Sequence, residues 1–397
     1  MHLTSKLRRV LGRAPLIALT ALFASSLVVA EAAPQERVRP DQVHIRNKRT
    51  GRPSVLSGTV ESNGLDEVVI AIARGGESKV DGDSVERILW GEVPPSFRDG
   101  RTYFDRGDFA SAAQSFRLAA GDASAREVVQ AAARLRAAQA LLRSGAQEPA
   151  NFAEAVLEVG TFLAEYPNNR EVPAARMTEG RALLLAGKAD EAGSAYRAVF
   201  AELSGDAMTT GYDTGTCMEA GLLGARAMLD AKDTLAAREL LTSIDTAIGP
   251  MIDALDSESA LRTRLIAIRD EALLGDGFAE LAAGNSKPAL TFFQNQLTGL
   301  GAEASQTSRM VASLGLAEAL LAEGQYLEAE YLFASVSALD HGAPDRVARA
   351  QLRMAQCELK ILHADSKGRA RTLLESVIEN HGDTPSAAEA RDVLATL

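Results

Sequence analysis

Histidine, cysteine and tryptophan are scarce in this chain of 397 residues, which holds five, two and one of them. The scarcity of the first two closes most routes to metal and nucleophile chemistry. No histidine pair stands at helical ligand spacing, and neither H-E-x-x-H nor C-x-x-C occurs. A G-x-S-x-G elbow and a phosphate-binding glycine loop are also missing. The glycine runs Gly75-Gly76 and Gly275-Asp276-Gly277 lack the surroundings of a nucleotide fold. No catalytic residue, metal site or cofactor is therefore expected. Cys217 and Cys357 lie far apart, each inside a predicted helix, and read as small buried residues rather than a disulfide. Aromatic residues make up only 5% of the chain while alanine is abundant, which suits close-packed helices better than a sheet sandwich. Long apolar runs are absent too. The longest, Leu16–Ala30, is short of the ~20 residues a membrane-spanning helix needs.

That run belongs to an N-terminal leader. Lys6, Arg8, Arg9 and Arg13 precede it, and Ala30-Glu31-Ala32 offers small residues at the spacing a signal peptidase reads. Residues 1–32 are expected to be a cleaved secretory signal, with an uncleaved anchor as the alternative, and 33–40 a linker. No cysteine near the cleavage site offers a lipid attachment point. Cleavage removes four positive charges and one negative, taking the net formal charge from −11 to −14. So acidic an exported protein repels nucleic acid and anionic lipid on average. The expected location is periplasmic or secreted, not membrane-spanning after cleavage, and nucleic acid is not an expected partner.

Residues 41–92 alternate apolar and polar positions between turn signals. Gln42–Ile45, Ser54–Glu61, Asp66–Ala73, Ser78–Val80 and Val85–Trp90 are the predicted strands, broken by Asn63-Gly64 and Gly75-Gly76. Five short strands in so few residues resemble SH3-like and Sm-like small barrels. Sm-like barrels often bind RNA, and Arg46, Lys48, Arg49 and Arg52 form a local basic turn. No aromatic stacking pair accompanies them, and export argues against RNA. A solvated turn or contact with an acidic polymer or partner remains open for this cluster. Asp81, Asp83 and Glu86 read as a solvated turn. Trp90 and Val93 are expected to pack the module on the first helix.

From residue 96 to 397 a pattern recurs: a small residue, a large one three on, a glycine four later, then an alanine and an aromatic on the next helix. It is clearest at Gly100, Tyr103, Gly107, Ala112 and Phe116, and at Gly180, Leu183, Gly187, Ala192 and Tyr196. Gly277, Gly284, Ala289 and Phe293 repeat it, as do Ala317, Leu320, Gly324, Ala329 and Phe333. Three further units are degenerate, one of them with Lys232 where the turn glycine belongs. The segments Leu135–Gln139 and Leu352–Gln356 echo one another, and Pro385–Leu397 reads as a capping helix. The pattern resembles the tetratricopeptide repeat over about three quarters of the chain. The resemblance implies an α-helical solenoid of about seven hairpins plus a cap, preceded by the small all-β barrel. The stretch Phe162–Asn169, with its Tyr166-Pro167, is similar to the exported repeat proteins of bacterial envelopes.

In that family the first helix of each hairpin lines a concave groove. The resemblance places Arg101, Gln139, Arg181, Arg226, Phe278, Glu318 and Gln356 there, one residue past the small position, with Arg136 and Arg353 one turn earlier. Several guanidinium groups in an acidic protein suit a carboxylate-bearing peptide, since arginine forks pair bidentately with carboxylates. Pairing with acids on the same helices, such as Asp105 or Asp230, is the competing reading. The function expected is a non-catalytic exported scaffold for a protein or peptide partner. The alternative is an accessory envelope protein that meets peptidoglycan or polysaccharide through the β module.

Overall fold

The computed structural model describes residues 39–397, apart from 48–50, 73–74, 205–210, 302–303, 341 and 362. The expected leader and nearly all of the linker lie outside the described residues, as do Lys48 and Arg49 of the basic turn.

Five antiparallel strands come first: β1 (Asp41–Arg46), β2 (Pro53–Asn63), β3 (Glu67–Ala71), β4 (Glu77–Asp81) and β5 (Val85–Leu89). Their order in the sheet is β4-β3-β2-β1-β5. The first half of β2 pairs with β1, and the second half, from Thr59, pairs with β3 with a register shift between Val60 and Ser62. That shift curls the sheet around Val43, Val60, Val68, Ile70, Val85 and Ile88. Asn63 was expected in the turn but is the last residue of β2, opposite Val68. A one-turn 3-10 helix, Gly82–Ser84, leads into β5.

Seven helical hairpins and a cap follow. They are α1 (Pro95–Asp105) with α2 (Phe109–Ala120), α3 (Glu127–Ser144) with α4 (Ala150–Glu165), α5 (Val172–Leu185) with α6 (Ala189–Ala201), and α7 (Thr214–Asp230) with α8 (Thr234–Asp253). The fifth first-helix is long and broken at Leu274 into α9 (Ala260–Leu273) and α10 (Gly275–Ala282), and pairs with α11 (Ser286–Gly299). Then come α12 (Gln306–Ala322) with α13 (Tyr326–Leu339), α14 (Pro344–Ile361) with α15 (Ser366–Asn380), and the cap α16 (Pro385–Ala395). The solenoid is of tetratricopeptide type, as the spacing of small and large residues predicts. The α9 half of the fifth first-helix was not foreseen, because its apolar positions do not repeat the pattern.

The first, third and fifth hairpins are each nested by a glycine on the first helix against an aromatic on the second. A Cβ at Gly100 would lie 2.8 Å from the Phe116 ring, at Gly180 2.7 Å from Tyr196, and at Gly277 2.5 Å from Phe293. Phe116, Tyr196, Phe293 and Phe333 are all buried. Tyr103, expected to fill space between hairpins, is instead largely exposed, because no hairpin precedes α1. The turn between paired helices takes the left-handed conformation at Gly107, Gly187, Gly284 and Gly324. In the fourth hairpin Lys232 adopts it, at φ 65°, the only non-glycine to do so among the described residues.

The β module is fastened along the edge of the first three hairpins. The Asp41 carboxylate is buried and accepts from both Arg126 terminal nitrogens, at 2.7 and 2.9 Å, and from the Val60 and Gly91 amides, both at 2.8 Å. Arg126 opens α3 and lies over the Trp90 ring. Trp90 and Val93 pack on the first hairpin's apolar cluster with Phe97, as expected. Farther along, the Leu65 amide donates to the Asn168 carbonyl at 2.7 Å, and the Arg170 amide to the Asn63 carbonyl at 2.9 Å.

Three outcomes are expected. Phe116→Ala lowers stability by ~3–5 kcal/mol through the cavity it leaves, measured by urea unfolding; an unchanged midpoint would place the repeat register elsewhere. Lys232→Gly raises stability by about 1 kcal/mol in the same assay, by relieving the left-handed backbone. Asp41→Ala costs ~3–5 kcal/mol, since it strands a guanidinium and two amides; a loss under about 1 kcal/mol would mean the joint is not held there.

Candidate functional site

The first helices of hairpins three to seven turn their inward side chains towards one another. On α5, the Arg181 guanidinium forks onto Asp345 at the start of α14, with both contacts at 2.8 Å, and donates to the Asp383 carbonyl at 2.7 Å. Arg226 on α7 touches Glu271 on α9, which also receives Arg346 of α14 at 3.3 Å. Arg346 is held in turn by Asp340 at 2.6 Å. Arg349 of α14 forks onto Glu318 of α12, its outer nitrogen at 2.8 Å. Arg353 and Gln356 of α14 both donate to Glu389 of α16, at 2.6 and 2.8 Å. The coil is tight enough that α14 lies across the groove from α5 and α7.

These charges sit deep but stay wet: the Arg226 side chain keeps 36% of its surface accessible and Arg349 37%. Position in the concavity moves their proton affinities in opposite directions. Burial, with Arg346 and then Arg349 close by, pulls Arg226 down to about 10 despite its contact with Glu271. Burial also opposes the charge on Arg349, but Glu318 and Asp230 outweigh it and hold that guanidinium above its usual value. Asp230 is raised, mainly by desolvation, with Arg349 acting against the rise. Five arginines, Arg181, Arg226, Arg346, Arg349 and Arg353, are matched by Asp345, Glu271, Asp340, Glu318 and Glu389, so the wall is close to neutral there.

The nine groove positions therefore separate into three sets. Arg181, Arg226, Glu318, Arg353 and Gln356 join the paired network, and apart from the Arg353–Gln356 hydrogen bond at 2.8 Å within α14 their partners come from other helices. Phe278 is half-buried and packs edge-to-face on Phe293 at 5.0 Å, as part of its own hairpin's core. Arg101 and Arg136 are exposed and Gln139 is half-buried, and none of the three has an ion pair or side-chain hydrogen bond among the described residues. Arg136, Gln139 and Arg143 lie three and four residues apart on α3, and so share one stripe of that helix. Arg143 reaches Asp383 at 3.3 Å, which fixes the direction of the stripe: it faces the returning C-terminal end.

What the repeat pattern did not reveal is α14's own cargo of charge. Asp345, Arg346 and Arg349 sit outside the pattern's small and large positions. The available signal was spacing: Arg346, Arg349, Arg353 and Gln356 recur every three or four residues along one face of the helix.

Among the described residues no three His, Cys, Asp or Glu side chains converge as metal ligands. Burial pushes the thiols of Cys217 and Cys357 up to about 12, so both are inert as nucleophiles near neutral pH. No described helix is long and apolar enough to cross a membrane.

No protein-family model matches the chain, and no curated protein matches its sequence. Solved structures do align with it. A tetratricopeptide repeat protein from Parabacteroides merdae ATCC 43184 is 14% identical over 71% of this chain and 90% of its own, with a TM-score of 0.45. The TPR domain of P58(IPK) is 19% identical over 75% of this chain and 86% of its own, with a TM-score of 0.21. At such distances the hairpin contacts themselves, not these likenesses, carry the fold.

Proposed function

We propose that the chain is a non-catalytic, exported scaffold whose groove holds an extended, acidic segment of a protein partner. One observation carries the reading. The inner wall is paired with itself over hairpins three to seven, whereas Arg101, Arg136 and Gln139 on the first two hairpins stand without partners among the described residues. Unpaired guanidinium groups on a wall of a protein with net charge −11 favour carboxylates over any cation. The β module braces this wall from outside. Its strand order and the 3-10 turn before β5 support the small-barrel reading. Export rests on the basic and apolar pattern of residues 1–32. Arg181, Arg226, Glu318 and Gln356 set the shape of the groove beyond the open wall, and Phe278 its apolar backing.

The test is a titration of the full chain, without its leader, against a labelled peptide of alternating glutamate and glycine. Arg101→Glu with Arg136→Glu is expected to weaken binding by roughly tenfold or more, about 1.4 kcal/mol, while a lysine–glycine peptide does not bind. Equal affinity of the double variant and the native chain would remove the open wall as the binding surface.

A further inference from the structure

The C-terminal end of the solenoid returns to the second and third hairpins, and the contact there differs in kind from the packing of neighbouring hairpins. Neighbouring hairpins are stitched by buried apolar clusters, but no such cluster among the described residues contains both α3 or α5 and α14 or α16. The seam is polar. Arg181 grips Asp345 and the Asp383 carbonyl, Arg143 reaches the Asp383 carboxylate, and Arg391 of α16 donates to the Ala146 carbonyl. Gly382 lies against Ala146 at the closest approach of the two ends. The paired groups are open to water: Asp345 keeps 41% of its side-chain surface, Asp383 40% and Arg143 54%. Exposed ion pairs of this sort are weak and screened by salt. Between the two ends is a cleft of about 400 Å³, lined by Arg143, Arg181, Asp345, Asn380, His381 and Asp383.

We propose that this seam is an ionic latch: Asp345 and Asp383 occupy Arg181 and Arg143 as internal ligands, and the carboxylates of an acidic, extended partner segment displace them and open the coil. The chemistry on the two sides is interchangeable, because a guanidinium fork accepts any carboxylate of suitable geometry. The cleft already gives an incoming chain access to both arginines. The stripe Arg136–Gln139–Arg143 leads from the open wall to the seam, so one segment can run along the first and arrive at the second. Only the identity of the displacing ligand rests on the groove reading above. The strength of the latch is a property of the chain alone.

Both parts are measurable with Ala146→Cys/Gly382→Cys in the full chain without its leader. A Cβ at Gly382 would lie 3.0 Å from that of Ala146, so a small outward shift brings the pair to the ~3.8 Å of a disulfide, and Cys217 and Cys357 are buried and do not compete. The rate at which the introduced pair oxidises reports how often the seam is closed. Raising salt from about 0.1 M to about 1 M, which shortens the Debye length from ~10 Å to ~3 Å, is expected to slow oxidation. Asp345→Asn with Asp383→Asn is expected to slow it roughly five- to tenfold at low salt. Rates indifferent to both changes would overturn the latch. The oxidised, locked form should lose affinity for the glutamate–glycine peptide and regain it on reduction. Equal binding by the locked and reduced forms would overturn the claim that the ligand opens the seam. A reduced form that ignores the peptide while its oxidation still answers to salt would sustain the latch and overturn both the groove reading and the ligand it names.

Discussion

One contact recurs in the solenoid and sets its spacing where it occurs: a glycine backbone on a first helix against an aromatic ring on a second. The ring serves two hairpins at once. Phe293 lies under Gly277 of its own hairpin and under Gly315 of the next, where a Cβ would come within 2.5 and 2.2 Å of it. Tyr196 is similarly placed between Gly180 and Gly224. Interiors are packed at crystal-like density, so a missing methyl group on one side fixes where the opposite ring must go. Spacing within a hairpin and pitch between hairpins are then set by the same side chain. At Tyr196 and Phe293, where one ring is used twice, the angle between successive hairpins has little freedom to vary.

Tightness explains the charges. When curvature brings α14 opposite α5 and α7, inward side chains that would face open water in a wider coil come within reach of one another. A guanidinium on α5 then meets a carboxylate more than 160 residues later in the chain. Why an acidic protein keeps arginines on its inner wall thus has a partly internal answer: five of them neutralise carboxylates that the coil itself crowds together. Sequence reading placed most of these side chains on the correct helices, since the hairpin register is local. Their partners were not legible, because they depend on the sum of many small rotations from one hairpin to the next. Pairing within one helix, the natural guess from spacing, is not how Arg181 or Arg226 is satisfied.

Two other departures have local causes. The fifth first-helix was legible only from Gly277 onward, because the small-residue signal belongs to α10, and α9 is held by Leu265 and Ile268 against α7 and α8 instead. The stretch around Tyr166 resembles a compartment signature in sequence, but in the fold it is a docking loop. Asn168 and Arg170 exchange backbone hydrogen bonds with Leu65 and Asn63, and the Arg170 side chain reaches the Val85 carbonyl at 3.2 Å. Nothing in a single sequence links a β-turn to a helix-joining loop a hundred residues away. The five strands were legible because their alternation is local. The small-to-large nesting was legible for the same reason, and so was Lys232 at a glycine's place.

The two ends of the coil are secured by opposite means. In a repeat array each unit touches only its neighbours, so bending accumulates along its length. The β module suppresses that motion at the N-terminal end, because its contacts with Phe97, Arg126 and Asn168 skip across three hairpins and include a carboxylate buried to 1% of its side-chain surface. The Asp41 carboxylate, held by two further amides, is shielded from water and salt even though the Arg126 side chain keeps 27% of its surface. At the C-terminal end the corresponding long-range contact is made by groups that remain largely hydrated and share no buried apolar cluster. Stress on the coil therefore concentrates at the polar seam. The first hairpins thus carry a buried joint to the β module, whereas the last hairpin and its cap rest on an exposed one.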